Sequence, residues 1–453
     1  MTIATRPHPS PTREYHFPRF EHRQLPNGLK LVVAPVHKLP MVTILALVEA
    51  SAMADPHGKE GIAQLTARAI TEGTTRYDGE TLTERLEQLG TSIDASADWD
   101  TTGLTLTVLT DKLGDAFKHL AEVLTTPIFP ETSVQRIKAE QLAEILQVES
   151  EPRALADEMF EAFVYAEGSR FTAPIGGTKT SIPTITRQDI LDFYTERYRP
   201  TGTTLIVVGD VTTTDVEQMA QQTLGAWTGA APTPATVVDK PARTTPALQI
   251  VSKNDAPQSE LRVGHLSVSR THPDYFKITV MNAILGGLFS SRINLNLREA
   301  HGYTYGARSE FDWRTVASPF LISTAVASNV TAPALQEILH EINRMRDEPI
   351  SESELSLATS YLNGVFPIRF ETTAAIATAL ATLSIYHLPD NWYDTYRDHI
   401  GAVTAQDVLT AMQTHVNPEK LQIVVVGPVD EIRDPLEALH IGPVTVREAE
   451  HSE

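Results

Sequence analysis

The sequence predicts an α+β protein built as two tandem homologous halves, each an antiparallel-rich sheet covered by helices, the two closing on each other as a clamshell. Three observations point there: an internal repeat, an order of strands and helices that does not alternate one for one, and a proline-rich stretch dividing 453 residues into nearly equal halves. Self-similarity constrains architecture before any local pattern does. Length also asks for more than one core, because single cores stop growing near about 250–300 residues.

The repeat is plainest late in each half. Thr186-Arg-Gln-Asp189-Ile-Leu191 is echoed by Thr404-Ala-Gln-Asp407-Val-Leu409, Pro200 by Pro418, and LIVVGDV ending at Val211 by IVVVGPV ending at Val429, all at one constant offset. In both copies a Thr N-cap opens an amphipathic helix, a Pro closes the connection and a β-branched run ends at Gly. The starts are fainter, LKLVVAPV at 29–36 against LQIVSKND at 248–255.

Taken in order, residues 1–18 form a disordered arm and 19–228 the first half. There LKLVVAPV and MVTILALVEAS are strands, Glu60 to Glu72 is helical, and Asp98 to Thr110 alternates as a half-buried antiparallel strand. Helices follow at about 111–124, 132–149 and 152–166, a non-alternating order that suggests α+β layers. Residues 229–247, within the Pro/Thr/Ala-rich stretch from Trp227 to Ala247, form the linker. The second half spans 248–443 and 444–453 is a tail.

Composition narrows the function. With no cysteine, thiol enzymes, disulfide scaffolds, iron–sulfur proteins and Cys-ligated zinc modules are excluded. With 37 Lys+Arg against 57 Asp+Glu, the net charge of −20 argues against nucleic acid as a partner. The first twenty residues hold no apolar run fit for a signal or a membrane span, so the expectation is a cytoplasmic protein, with a periplasmic setting left open.

The segment Gly61-Ile-Ala-Gln-Leu-Thr-Ala-Arg-Ala-Ile-Thr-Glu-Gly-Thr74 resembles the zinc-site helix of the insulinase/pitrilysin metallopeptidases, the family of the mitochondrial processing peptidase. Those helices carry H-x-x-E-H between a leading G-x-A and a trailing G-T. Two His four residues apart share one helical face and grip zinc, and the Glu polarises the attacking water. Here the frame survives without its contents. The resemblance puts Gln64 and Arg68 at the His positions, Ala67 at the general base and Glu144 at the third ligand. Gln is a poor zinc ligand, Arg keeps its proton and Ala has no proton chemistry, so no metal is expected in this chain. Two other fragments, His119-Leu-Ala-Glu122 and His340-Glu341-Ile-Asn-Arg344, lack the second His of a zinc motif. Arg68 either pairs with Glu144 where zinc would sit, or both are separate surface charges.

In the second half, Gly286-Gly-Leu-Phe-Ser-Ser-Arg-Ile-Asn-Leu-Asn-Leu-Arg298-Glu-Ala-His-Gly-Tyr-Thr-Tyr305-Gly resembles the family's other signature, a Gly-Gly turn, a helix ending in L-R-E, then G-x-x-Y. Ile293, Leu295 and Leu297 are expected to pack the helix, Gly302 to stop it, and Tyr303-Thr-Tyr305 to begin a strand. The resemblance implies that Arg298 and Tyr305 bind the substrate backbone and stabilise the oxyanion, reaching across to a zinc held by the opposite half of the enzyme. Each residue has a plain structural use, Arg298 at a helix C-terminus and Tyr305 in a strand. Together, at the family's spacing, they favour function.

A chain without the zinc ligands that keeps the Arg/Tyr pair looks like the non-zinc subunit of a two-chain family member. The resemblance implies a homologous H-x-x-E-H partner carrying zinc, a peptide or unfolded-protein substrate, and no metallopeptidase activity of this chain alone. The acidic charge would favour basic peptides. Residues 94–100 correspond to the edge where active members add substrate as a strand, but that edge works beside the zinc and is assigned no role here. A structural or assembly subunit is the alternative, and no cluster of residues argues for a self-sufficient enzyme.

Overall fold

The computed structural model describes residues 14–449. The first sheet contains β1 (Glu21–Gln24), β2 (Lys30–Pro35), β3 (Met41–Val48), β4 (Asp94–Ala97), β5 (Thr102–Leu109) and β6 (Thr203–Gly209), ordered β1-β2-β6-β3-β5-β4. The second contains β7 (Ala247–Ser252), β8 (Ser259–Leu266), β9 (Ala307–Phe311), β10 (Pro319–Val326), β11 (Gln422–Gly427) and β12 (Val444–Glu448), ordered β12-β7-β11-β8-β10-β9. Both are mixed: β2 and β6, like β7 and β11, run parallel, whereas β3, β5 and β4, like β8, β10 and β9, form antiparallel runs. The α+β two-half architecture is therefore the one the sequence predicts.

The repeat covers five strands of each sheet, β2-β6-β3-β5-β4 matching β7-β11-β8-β10-β9, and differs at the outer edge, where β1 pairs antiparallel with β2 but β12 pairs parallel with β7. The helices Arg187–Arg197 and Ala405–His415 each open on a capping box, Thr186 with Asp189 and Thr404 with Asp407. β5 buries alternate residues, Leu104, Leu106 and Val108, as its pattern predicts.

The halves interlock by exchanging helices. Pro152–Val164, from the first half of the sequence, packs on β8 and β11 of the second sheet, and Thr373–Ile385 packs on β3 and β6 of the first. Each sheet is thereby apolar on both faces: Val33 and Ile44 serve the first half's core, while Val32, Leu45 and Ile206 join the core that contains Ile376 and Leu380. Polar ties cross the same interface. Thr43 and Thr373 share a hydroxyl hydrogen bond of 2.8 Å, and buried Arg262 donates from Nε to Asp157 at 2.5 Å.

Local expectations shift at several places. The expected helix 60–72 is Ile62–Ala69, because Gly61 is its N-cap and the chain turns before Gly73. Phe17, in the expected arm, is buried against Phe370 and Tyr393, with centroids at 5.2 and 4.7 Å. Aromatic burial fixes that end of the arm, while residues 1–13 lie outside the described residues. The expected tail begins as an edge strand: β12 pairs in parallel with β7, a backbone pairing that its mostly exposed side chains do not advertise. Residues 450–453 lie outside the described residues.

Candidate functional site

The helix Ile62–Ala69 is anchored at its N-terminus by a carboxylate. Asp55, with no exposed side-chain surface, accepts from Gly61 N–H at 2.7 Å and Ala63 N–H at 3.0 Å, and pairs with Arg170 at 2.7 Å. Burial pushes its carboxyl up to about 6, against the pull of Arg170 and the two amides. The helix is thus held where the resemblance places it, but the groups on it turn inward. Gln64 Oε1 accepts from Ala97 N–H of β4 at 2.9 Å. Ala67 is completely buried. Arg68 donates from Nη1 to Glu144 Oε2 at 2.8 Å, and its Nη2 lies 3.5 Å from Glu140. The Arg68–Glu144 pairing is therefore the arrangement present. These groups do not fit zinc: the amide is spent on an edge strand, the carboxylate on a guanidinium, and the guanidinium offers no lone pair.

Geometry at the second site starts from a close approach. A side chain on Gly286 would meet the backbone nitrogen of Ser309 at 2.5 Å, so only glycine lets this turn lie against β9. Asn282 and Ser309 hold it, Nδ2 donating to Ser309 O at 3.0 Å and Ser309 Oγ donating to Oδ1 at 2.7 Å. Asn294 braces the other side, donating to Phe289 O at 2.6 Å and accepting from Ala307 N–H at 3.0 Å. Arg292 forms a forked pair with Glu354 at 2.6 and 3.1 Å. The helix ends as Leu295–Ala300, wound wider than α, and Gly302 at φ +66 turns the chain out of it.

Of the residues expected to pack that helix, Ile293 and Leu297 are buried, but Leu295 is 45% exposed, because two residues from each of them it falls on the opposite helical face. The expected strand start at Tyr303 is also displaced. Tyr303 N–H donates to Leu297 O at 2.8 Å and its ring stacks on His301, so the chain is still closing the helix and β9 begins at Ala307.

Tyr305 is 95% exposed and stands on a cavity of about 600 Å³, with Phe289, Asn294, Arg308 and the first half's Arg153 among its lining residues. Arg298 does not line that cavity. Its guanidinium lies 4.3 Å from the Phe289 ring centroid, with Nη1 3.3 Å from Glu299 Oε1. That Nη1 is buried and makes no hydrogen bond. Arg298 thus lies over Phe289, a lining residue of the cavity on which the Tyr305 phenol stands.

Sequence reasoning missed Phe289 and Arg153. Phe289 lies inside the quoted signature as an exposed aromatic nine residues before Arg298, a signal available in principle; Arg153 comes from the exchanged helix and carries none. Also missed was His272, Asp274 and His415, the group of potential metal ligands found among the described residues, with donor atoms within 4.8 Å. Its atoms serve one another: His415 Nε2 bonds Asp274 at 2.9 Å, and His272 Nδ1 accepts from Asp274 N–H at 3.1 Å. No helix among the described residues is long and apolar enough to cross a membrane.

Two models of one family match the chain in sequence. The model described as Insulinase (Peptidase family M16) matches residues 32–174, and that described as Peptidase M16 inactive domain matches 184–362. A relative named non-peptidase homolog YmxG from Helicobacter pylori is 22% identical over 394 residues, covering 86% of this chain and 90% of its own. An Arabidopsis thaliana protein named as a probable mitochondrial-processing peptidase subunit beta is 21% identical, covering 94% and 82%. Among solved structures, a peptidase M16 inactive domain from Pseudomonas fluorescens superposes with a TM-score of 0.85 at 26% identity, covering 90% of this chain and 98% of that one. With both family models matched in order along the chain, and the zinc positions occupied by Gln64, Ala67 and Arg68, the chain belongs to the insulinase (M16) peptidase family as a member with a degenerate metal site.

Proposed function

We propose that the chain is the non-catalytic, substrate-binding subunit of a two-chain zinc endopeptidase, and that it supplies Arg298 and Tyr305 to a zinc site held by a homologous H-x-x-E-H partner. The observation that carries this reading is the contrast in donors: the first half's polar groups are spent internally, while Tyr305 stands exposed on a cavity of peptide-binding size and Arg298, over the lining residue Phe289, keeps an Nη1 that makes no hydrogen bond. A phenol O–H and a guanidinium N–H suit an oxyanion because they donate without competing as nucleophiles. The Arabidopsis relative is named as a subunit, which supports a multi-chain setting. Substrates are peptides or unfolded segments, with basic ones favoured by the net charge of −20.

A second reading, a structural or assembly subunit, is favoured by one observation: Arg298 already has a use within the chain, over Phe289 and beside Glu299. Peptide hydrolysis by the mixture of this chain with an H-x-x-E-H relative separates the two. Arg298→Ala or Tyr305→Phe is expected to lower kcat by about 10²–10³, the range for losing an oxyanion donor, with complex formation intact. An unchanged kcat in both variants would leave the assembly reading.

A further inference from the structure

Among the described residues, buried arginines are matched by acids, with one exception. Arg262 has Asp157 and Glu260, Arg314 has Glu161 and Asp312, Arg170 has Asp55, and Arg292 has Glu354. Arg270 is 4% exposed, yet no carboxylate of the described residues lies within ion-pair distance of it, and its Nη1 has no hydrogen-bond partner. Three rings surround the guanidinium instead: the Tyr275 centroid at 3.5 Å, Trp392 at 4.8 Å and Tyr386 at 5.7 Å. Ring faces attract a cation but do not neutralise it, and an uncompensated buried charge is among the most destabilising features a fold can hold.

This arginine lines a cavity of about 450 Å³ between the helices Thr373–Ile385 and Trp392–Gly401. Its walls are aromatic, with Phe366, Phe370, Tyr393 and Tyr396; Ala375 and Ala379 leave the room, and Arg369 adds a second cation. No acidic side chain lines it, in a chain of net charge −20. Residues 1–13 hold no Asp or Glu, and Glu14, next to the Tyr15 that lies on the Phe366 and Phe370 rings, is well exposed and pairs with His16 at 3.2 Å.

We infer that this cavity is a binding site for a carboxylate carried on an aromatic or apolar body. The planar carboxylate would take the free N–H of Arg270 and offset its charge, while the body occupies the aromatic walls. Two sources share that chemistry, a small aromatic acid and the C-terminal carboxylate of a peptide. The site lies apart from the cavity at Tyr305: the two share no lining residue.

Calorimetric titration of the full chain tests the inference, with 3-phenylpropionate against 3-phenylpropionamide and the peptide Ala-Ala-Phe with a free against an amidated C-terminus. At least one acid is expected to bind with one-to-one stoichiometry, its amide at least tenfold more weakly. Binding of the small acid alone assigns the site to small molecules, and tight binding of the free peptide assigns it to C-termini. Arg270→Gln should abolish binding. Because that variant alters a buried group, Ala375→Phe, which fills a half-buried wall and leaves Arg270 in place, provides the second arm and should abolish it as well. Failure of both acids to bind, equal binding of the amides, or binding retained in Ala375→Phe would overturn the assignment.

Discussion

The helix Ile62–Ala69 in the first half and the turn and helix Gly286–Ala300 in the second dispose of their polar groups in opposite ways. The first is closed on itself: Gln64 is tied to an edge strand, Ala67 is covered, and Arg68 reaches Glu144. The second is braced from behind by Asn282, Asn294 and the Arg292–Glu354 fork, while Tyr305 stands exposed and Arg298 Nη1, 3.3 Å from Glu299, makes no hydrogen bond. The difference teaches that this chain's two halves are not equally worn copies. Where the zinc ligands are missing the surface has been rebuilt to satisfy itself, and where donors remain the scaffold still holds them out.

The comparison breaks most sharply at Ala67. If its position has been filled over, Ala67→Glu buries an uncompensated carboxylate and should cost about 3–5 kcal/mol in chemical denaturation. A loss below about 1 kcal/mol would mean that room for a general base is still present. On the other side, Glu354→Ala strips the fork from Arg292. Burial alone would raise the Glu354 carboxyl, but hydrogen bonds from Arg292 and Ser351 outweigh it and hold it at about 2. A depressed carboxyl stabilises above its unfolded value and loses that contribution as pH falls through the folded one. Glu354 is part exposed but Arg292 is buried, so the loss near neutrality is expected to be about 2–3 kcal/mol, shrinking as pH drops from about 4.5 toward 2. Urea midpoints of the two proteins should converge in acid, and parallel curves would remove the fork from the account. Arg68→Ala should have the smallest effect, at most about 1 kcal/mol and fading in high salt, since Glu144 and Glu140 are well exposed.

Much of this was legible in the sequence, and the parts that were not share a cause. The repeat, the capping boxes at Thr186 and Thr404, the alternation of β5 and the vacated zinc frame are local patterns, and local patterns survive in a single sequence. The exchange of helices was invisible, because Pro152–Val164 and Thr373–Ile385 are apolar enough for either sheet and only topology assigns them. Tyr303 reads as a strand residue by propensity, but a backbone bond to Leu297 and a ring on His301 keep it in the helix terminus. Arg153 at the Tyr305 cavity and Arg270 in its aromatic cage are charged residues whose meaning is set by distant neighbours, which no spacing announces.

The central claim, that this chain completes an active site it does not itself possess, is tested most directly by peptide hydrolysis in three samples with zinc present: this chain alone, an H-x-x-E-H partner alone, and the two mixed. Activity is expected in the mixture only. Full activity of the partner alone, or chelator-sensitive activity of this chain alone, would contradict it.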